Sequence, residues 1–277
     1  MLLGAAKYLA ETRNFDGKVV LAFQPAEEGG GGARAMIDAG LMERWNVKEV
    51  YGMHNTPGLP VGEFAVRTGP QMASPDKFEI IVRGKGGHAA TPHKGVDTTL
   101  IAAQIVVALQ SIASRNINPM ENVVVSVCSF RTETDTYNVI PDSVHMRGTV
   151  RTFEPAVQRL VRSRIDTLVT ATAAGYGAVA EVSHVSGPPA LVNHEREADL
   201  AAEVALAVCG VAHRDLEPTM GGEDFSEMLL KRPGAYLFVG NGESADLHNP
   251  SYEFNDEVIP VGCSWFVTMA ERRMPRA

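Results

Sequence analysis

The sequence predicts an α/β fold interrupted by an inserted α+β domain, on three observations. Between Val19 and Val66 short apolar runs alternate with an amphipathic segment, which is α/β patterning. From Ser74 the order becomes strand, helix, strand, strand, helix, strand, the split βαβ arrangement of a ferredoxin-like unit about 110 residues long. After Pro188 and Pro189 the first character returns. One domain inserted into another is the simplest account: 1–73 with 188–277 forming an α/β sheet domain, and 74–187 forming the insertion.

Taken in order, MLLGAAKYLAETRNF places Leu2, Leu3, Ala6, Leu9 and Ala10 on one helical face, which should cover a sheet. Val19–Phe23 reads as a short buried strand, Gly32–Met42 as a helix, and Val47–Met53 and Gly62–Val66 as strands. In the insertion, strands are expected at 77–84, 122–130, 143–152 and 178–187, and helices at 97–115 and 154–177. Helices Glu195–Val208, Glu223–Leu230 and Ile259–Arg273 and the strand Ala235–Gly240 complete the chain.

Composition narrows the class of partner. With 277 residues and 45% hydrophobic content the chain can bury one large or two ordinary cores. Lys and Arg number 25 against 33 Asp and Glu, a net charge of −8, and no basic patch suggests nucleic acid. A small molecule is the expected partner. Cys128, Cys209 and Cys263 are few, odd in number and far apart, which indicates neither a disulfide framework nor a CxxC metal site and favours a reducing, cytoplasmic setting. The N-terminus lacks a charged leading region and cleavage site, and no apolar run is expected to span a membrane.

Chemistry is expected at FQPAEEGGGG, Phe23–Gly32, where an apolar run meets Glu27, Glu28 and four glycines. Open α/β sheets bind ligands at strand carboxyl ends, and adjacent carboxylates either share a cation or raise one pKa. A solvated acidic turn before a helix is the alternative. His54 follows the expected strand KEVYGM, and His248 lies in GNGESADLHNP after AYLFVG. A Glu with two His, drawn from three strand ends, is a zinc- or manganese-type ligand set; ordinary loop histidines are the other reading.

The stretches LGAAKYLAE, FQPAEEGGGGARAMIDAGL, YGMHNTPGLPVGEFAVRTGPQMAS, VRGKGGHAATPHKGVD, YNVIPDSV, GTVRTF, MGGEDFSEML and LHNPSYEFND occur in this order along essentially the whole chain. Together they resemble the peptidase M20 family, and within it the hippurate hydrolase and indole-acetyl-amino-acid hydrolase branch. The resemblance implies an α/β catalytic domain with two divalent metal ions (Mn, Zn, Co or Ni) and a ferredoxin-like lid that also forms a homodimer. It implies hydrolysis of N-acyl-amino acids to a carboxylic acid and an amino acid. Residue by residue, Glu27 matches the general base, and Glu28, His54 and His248 match metal ligands. His88 in GKGGHAATPH resembles the lid histidine that reaches the partner subunit's active site and steadies the oxyanion. Asn138 and Arg151 resemble substrate-side groups, a guanidinium being suited to an α-carboxylate. A turn-forming Asn and a surface strand Arg are their structural alternatives. Glu223 and Asp224 in MGGEDF resemble a segment lining the pocket, although acids are common at helix starts. Family members carry a CGHDGH-like segment before LLGAA that supplies a Cys and a His ligand, and the sequence given does not contain it. The catalytic domain is therefore expected to be incomplete at its N-terminus, with two of five ligands outside it. A non-catalytic ligand-binding or dimer-forming remnant is the alternative function.

Overall fold

The structure, a computed structural model, describes residues 1–276. In chain order its elements are α1 (Leu2–Thr12), α2 (Gly32–Asp38), α3 (Leu41–Arg44), β1 (Val50–Pro57), β2 (Phe64–Ala65), β3 (Gly69–Met72), β4 (Ser74–Arg83) and β5 (Gly87–His88). There follow α4 (Thr98–Ser111, continued by a π-helical turn Ile112–Asn116), β6 (Val124–Thr132), β7 (Val139–Ile140), β8 (Ser143–Thr152), α5 (Pro155–Gly175) and β9 (Val179–Val185). The chain ends with β10 (Leu191–Asn193), α6 (Glu195–Cys209), β11 (Ala212–His213), α7 (Ser226–Leu229), β12 (Gly234–Gly242) and α8 (Val258–Arg273). The described residues divide into two compact units, one of residues 1–71, 191–219 and 224–276, the other of 72–190 and 220–223.

In the first unit the sheet order is β1-β12-β2-β11, with β1 parallel to β12, β2 antiparallel to β12, and β11 parallel to β2. The apolar run AYLFVG makes β12 the central strand, buried along nearly its whole length, as strands covered on both faces must be. Trp265 of α8 is fully buried against Phe64, Tyr51 and Phe266, and its indole N–H donates to the Ala201 carbonyl at 3.2 Å. Ala198, Ala201, Ala202 and Ala205 of α6 complete this core. At the edge of the unit Arg273 holds the Glu49 carboxylate through Nε, at 2.7 Å to Oε2, and through Nη2, while the Tyr51 hydroxyl donates to Oε2 at 2.9 Å. Hydrogen bonding from Arg273 outweighs burial and, with Tyr51, holds the Glu49 carboxyl below its ordinary pKa.

In the second unit β6-β8-β4-β9 form an antiparallel sheet, covered by α4 and α5. Alternation along β4 sends Phe78, Ile80 and Val82 into the core, while Glu79 meets Arg147 at 3.1 Å on the other face. Ile101, Ile105, Leu109 and Ile112 of α4 and Val161, Ile165 and Val169 of α5 pack onto the same core. Asp97 starts α4 by accepting the amides of Thr99 and Leu100 at 3.0 and 3.1 Å.

Several sequence expectations are corrected. Val19–Phe23 forms no strand: the residues are apolar, but no ladder partner lies beside them, and Phe23 is 57% exposed. α1 packs against α8 rather than a sheet, with Ala5 and Leu9 buried and Leu3 outward, so the buried face is rotated from the expected one. The Gly32–Met42 helix breaks at Gly40, whose φ of 86° suits glycine, giving α2 and α3. The Glu223–Leu230 helix is only Ser226–Leu229. Thr98–Asn116 is long and apolar enough to cross a membrane, against expectation; its buried face is the core of the second unit.

Candidate functional site

The FQPAEEGGGG segment is a tight loop before α2. Ala26 has φ 55°, a left-handed conformation costly for alanine, and its carbonyl accepts the Gly30 amide at 3.0 Å and the Gly32 amide at 3.4 Å. Gly32 could carry no side chain, because a Cβ there would lie 1.6 Å from the Pro25 carbonyl oxygen. The loop thus holds Glu27 half-buried and leaves Glu28 exposed. Glu27 presents a carboxylate oxygen within 4.8 Å of one on Asp224. Glu28 Oε1 lies 3.8 Å from His248 Nε2, with both side chains more than three-quarters exposed.

His54 and His248 reach the same edge of the sheet by different routes. β1 and β12 are parallel, so their carboxyl ends lie together. His54 lies within β1 opposite Phe238, not after the strand as expected, because β1 extends to Pro57. His54 Nδ1 is 2.6 Å from the Asn55 carbonyl, which can only accept. Nδ1 is therefore protonated, and Nε2 of the neutral ring keeps the lone pair a metal requires. His248 has φ 65°, unusual for a residue other than glycine, in the loop after β12. Asn55 Nδ2 donates to the Tyr252 hydroxyl, and Asn241 donates to Glu253 O at 2.8 Å while accepting the Asn255 amide at 2.9 Å. These bonds tie the His248 loop to the ends of β1 and β12. Burial pushes the Tyr252 phenol pKa up, so it remains a hydroxyl.

The Glu28–His248 pair is spaced to share a divalent cation. Metal–nitrogen and metal–oxygen bonds of about 2.0–2.2 Å are accommodated by the 3.8 Å between Glu28 and His248. Carboxylate and imidazole donors suit manganese, zinc, cobalt and nickel. Among the described residues, Glu28, His54 and His248 do not bring their ligand atoms all within 4.8 Å of one another; it is Glu28 and His248 that are paired.

In the second unit β5 pairs with β7, setting His88 opposite Val139, and the Ala89 amide donates to the Asn138 carbonyl at 3.0 Å. His88 and Asn138 are thus neighbours. The Ala90 amide donates to His88 Nδ1 at 3.0 Å, which selects the tautomer with its proton on Nε2. Arg151 is half-buried on β8: Nε donates to Met220 O at 2.9 Å, and Nη1 to Val150 O at 3.1 Å and to Thr149 Oγ1. Burial lowers its pKa, against the pull of Asp76.

Nothing in the sequence pointed to Gln24, and Asp224 stood there between a pocket-lining acid and a helix-start acid. Gln24 Nε2 donates to Asp224 Oδ1 at 2.6 Å and the Ala33 amide to Oδ2 at 3.0 Å. The partners are 200 and 191 residues apart. The MGGEDF motif resembles a pocket-lining segment but carries no sign of what Asp224 touches.

The profile of peptidase family M20/M25/M40 matches residues 1–272. An N-acetylcysteine deacetylase of Bacillus subtilis (strain 168) is 38% identical over 270 residues, 97% of this chain and 70% of the relative. A hippurate hydrolase of Campylobacter jejuni is 36% identical, covering 97% and 70%, and an IAA-amino acid hydrolase of Arabidopsis thaliana is 38% identical, covering 98% and 64%. The chain thus spans about two thirds of the length of these relatives. Among solved structures, a Bacillus subtilis protein described as a dinuclear metal binding peptidase from the M20 family superposes with TM-score 0.82 at 34% identity, over 99% of this chain and 70% of that one. An aminobenzoyl-glutamate utilization protein from Klebsiella pneumoniae superposes with TM-score 0.72 at 26% identity, over 98% and 66%.

Proposed function

The chain belongs to peptidase family M20/M25/M40, and from that premise we propose that it serves in the metal-dependent hydrolysis of N-acyl-amino acids, releasing a carboxylic acid and an amino acid. The observation that carries this reading is the strained loop that sets Glu27 beside Glu28, with Glu28 facing His248. Glu28, His54 and His248 are the donors from this chain for a divalent cation, which when bound polarises the acyl carbonyl and acidifies water. Glu27 takes a proton from the attacking water and delivers it to the amide nitrogen as the C–N bond breaks. His88, with its proton on Nε2, donates a hydrogen bond to the oxyanion developing in the active site of the partner subunit. Asn138 and Arg151 hold the amino-acid carboxylate, Arg151 through Nη2, the edge that takes no part in its three bonds to Met220, Val150 and Thr149. The reading includes a homodimer formed through the second unit.

The relatives' names supply the substrates to try: hippurate, N-acetylcysteine and indole-acetyl-amino acids. Purified protein loaded with manganese or zinc should release amino acid from at least one of them. Glu27→Gln should abolish release while keeping the metal, as measured by titration calorimetry. A wild-type protein that binds neither ion at micromolar levels and hydrolyses none of the three would overturn the reading.

A further inference from the structure

We propose that Asp224 is the positioning residue for the carboxylate loop, a role that rests on reading Glu27 as base and Glu28 as ligand. Asp224 is 4% exposed, and each of its carboxylate oxygens accepts one hydrogen bond from this loop. Gln24 lies three residues before Glu27, and Ala33 five after Glu28, so one side chain clasps both ends of the segment that carries the pair. The clasp adds to the loop's own bonds to the Ala26 carbonyl, which close the turn but leave α2 without a side-chain cap. Gly31, at the N-cap of α2, has no side chain to cap the helix, and Ala26 stays in its costly conformation only if the surroundings over-determine it. Asp224 supplies the missing cap, since Ala33 is in the first turn of α2.

The Ala33 amide can only donate and needs an acceptor, and with aspartate in place the Gln24 amide must present its NH2. Asparagine would keep both bonds if Gln24 reversed its side-chain amide, whereas alanine would lose both. Glutamate would force an extra methylene into a closed site. Close by, Arg34 pairs with Glu227 at 2.8 and 2.6 Å, which ties α2 to α7 without touching the loop.

The test compares Asp224→Ala, Gln24→Ala and their double variant with wild type, with Arg34→Ala as control. Two readouts are taken on manganese-loaded protein: hydrogen exchange at the Ala33 amide, and kcat and KM for the best of the three acyl-amino acids. Asp224→Ala should speed Ala33 exchange at least about tenfold and lower kcat about ten- to a hundredfold, with KM changed less than about threefold, the signature of misplaced rather than lost groups. Gln24→Ala should give a smaller fall in kcat, and the double variant should be no worse than Asp224→Ala alone, because both break one clasp. Arg34→Ala should leave kcat within about twofold of wild type. Unchanged Ala33 exchange in Asp224→Ala, or faster exchange with wild-type kcat, overturns the proposal. If Asp224→Ala does not fold, Gln24→Ala decides by kcat and KM. If wild type hydrolyses nothing, the hydrolase reading fails on its own, and Ala33 exchange still judges the clasp.

Discussion

Replacing Gly32 by alanine tests whether the shape of the carboxylate loop sets the rate. The new Cβ would lie 1.6 Å from the Pro25 oxygen and 2.8 Å from its carbonyl carbon. Carbon–oxygen contacts normally begin at about 3.3 Å, so the backbone must open by more than about 1 Å. Both partners are main chain, so no rotamer change relieves the clash. The Gly32 amide is bonded to Ala26 O, so the opening passes directly to the residue before Glu27. A displacement of about 1 Å at a reacting group costs about a hundredfold in rate, or about 2.7 kcal/mol of barrier. Gly29→Ala is the comparison: its φ of 85° strains alanine, but nothing lies within 4 Å of the added carbon. It should cost about 1–2 kcal/mol of stability in urea unfolding, with kcat largely kept. The assay is kcat for amino-acid release beside urea unfolding of each variant. Wild-type kcat in Gly32→Ala, or a larger kcat loss in Gly29→Ala, would refute the reasoning.

Three further outcomes are expected. Trp265→Ala, which empties a fully buried site and leaves the Ala201 carbonyl without its donor, should destabilise the first unit by about 3–5 kcal/mol in urea unfolding. Glu49→Gln should lose about 1–2 kcal/mol at pH 7, since it removes a charge-assisted pair whose Arg273 side chain is 30% exposed. Because the folded Glu49 pKa is lowered, that stabilisation is fully present above the unfolded value of about 4.3 and is lost as pH falls through the lower folded value. The gap between wild type and Glu49→Gln should therefore close only below about pH 4 in pH-dependent unfolding; a gap that closes near pH 6 would show another group is responsible. Removing divalent metal with a chelator should stop turnover and leave far-UV circular dichroism unchanged, because neither Glu28 nor His248 is part of either core.

What the sequence made legible follows its local physics. β4 could be read because apolar Phe78, Ile80 and Val82 recur at every second position of a β-rich run, and α4 because Asp97 precedes a long apolar run. β12 could be read because its continuous apolar run marks a strand covered on both faces. Val19–Phe23 misled because hydrophobicity predicts that a segment packs, not that a strand lies beside it. The two-residue strands β5 and β7, which bring His88 next to Asn138, are too short to show any periodicity. Glu27, Glu28, His54 and His248 stood out by residue type, yet the pairing of Glu28 with His248 needed the fold, since 220 positions of chain separate them. The roles of Gln24 and Asp224 were invisible for the same reason. A buried carboxylate that serves two distant N–H groups leaves no local pattern, and only the hydrogen bonds reveal it.

The most direct measurement is anomalous diffraction at the manganese or zinc edge from crystals grown with that ion. The account predicts a peak about 2.0–2.3 Å from Glu28, His54 Nε2 and His248 Nε2, with Glu27 beside it and not coordinating. A peak held by other side chains, or none next to Glu28 and His248 at saturating ion, would contradict it.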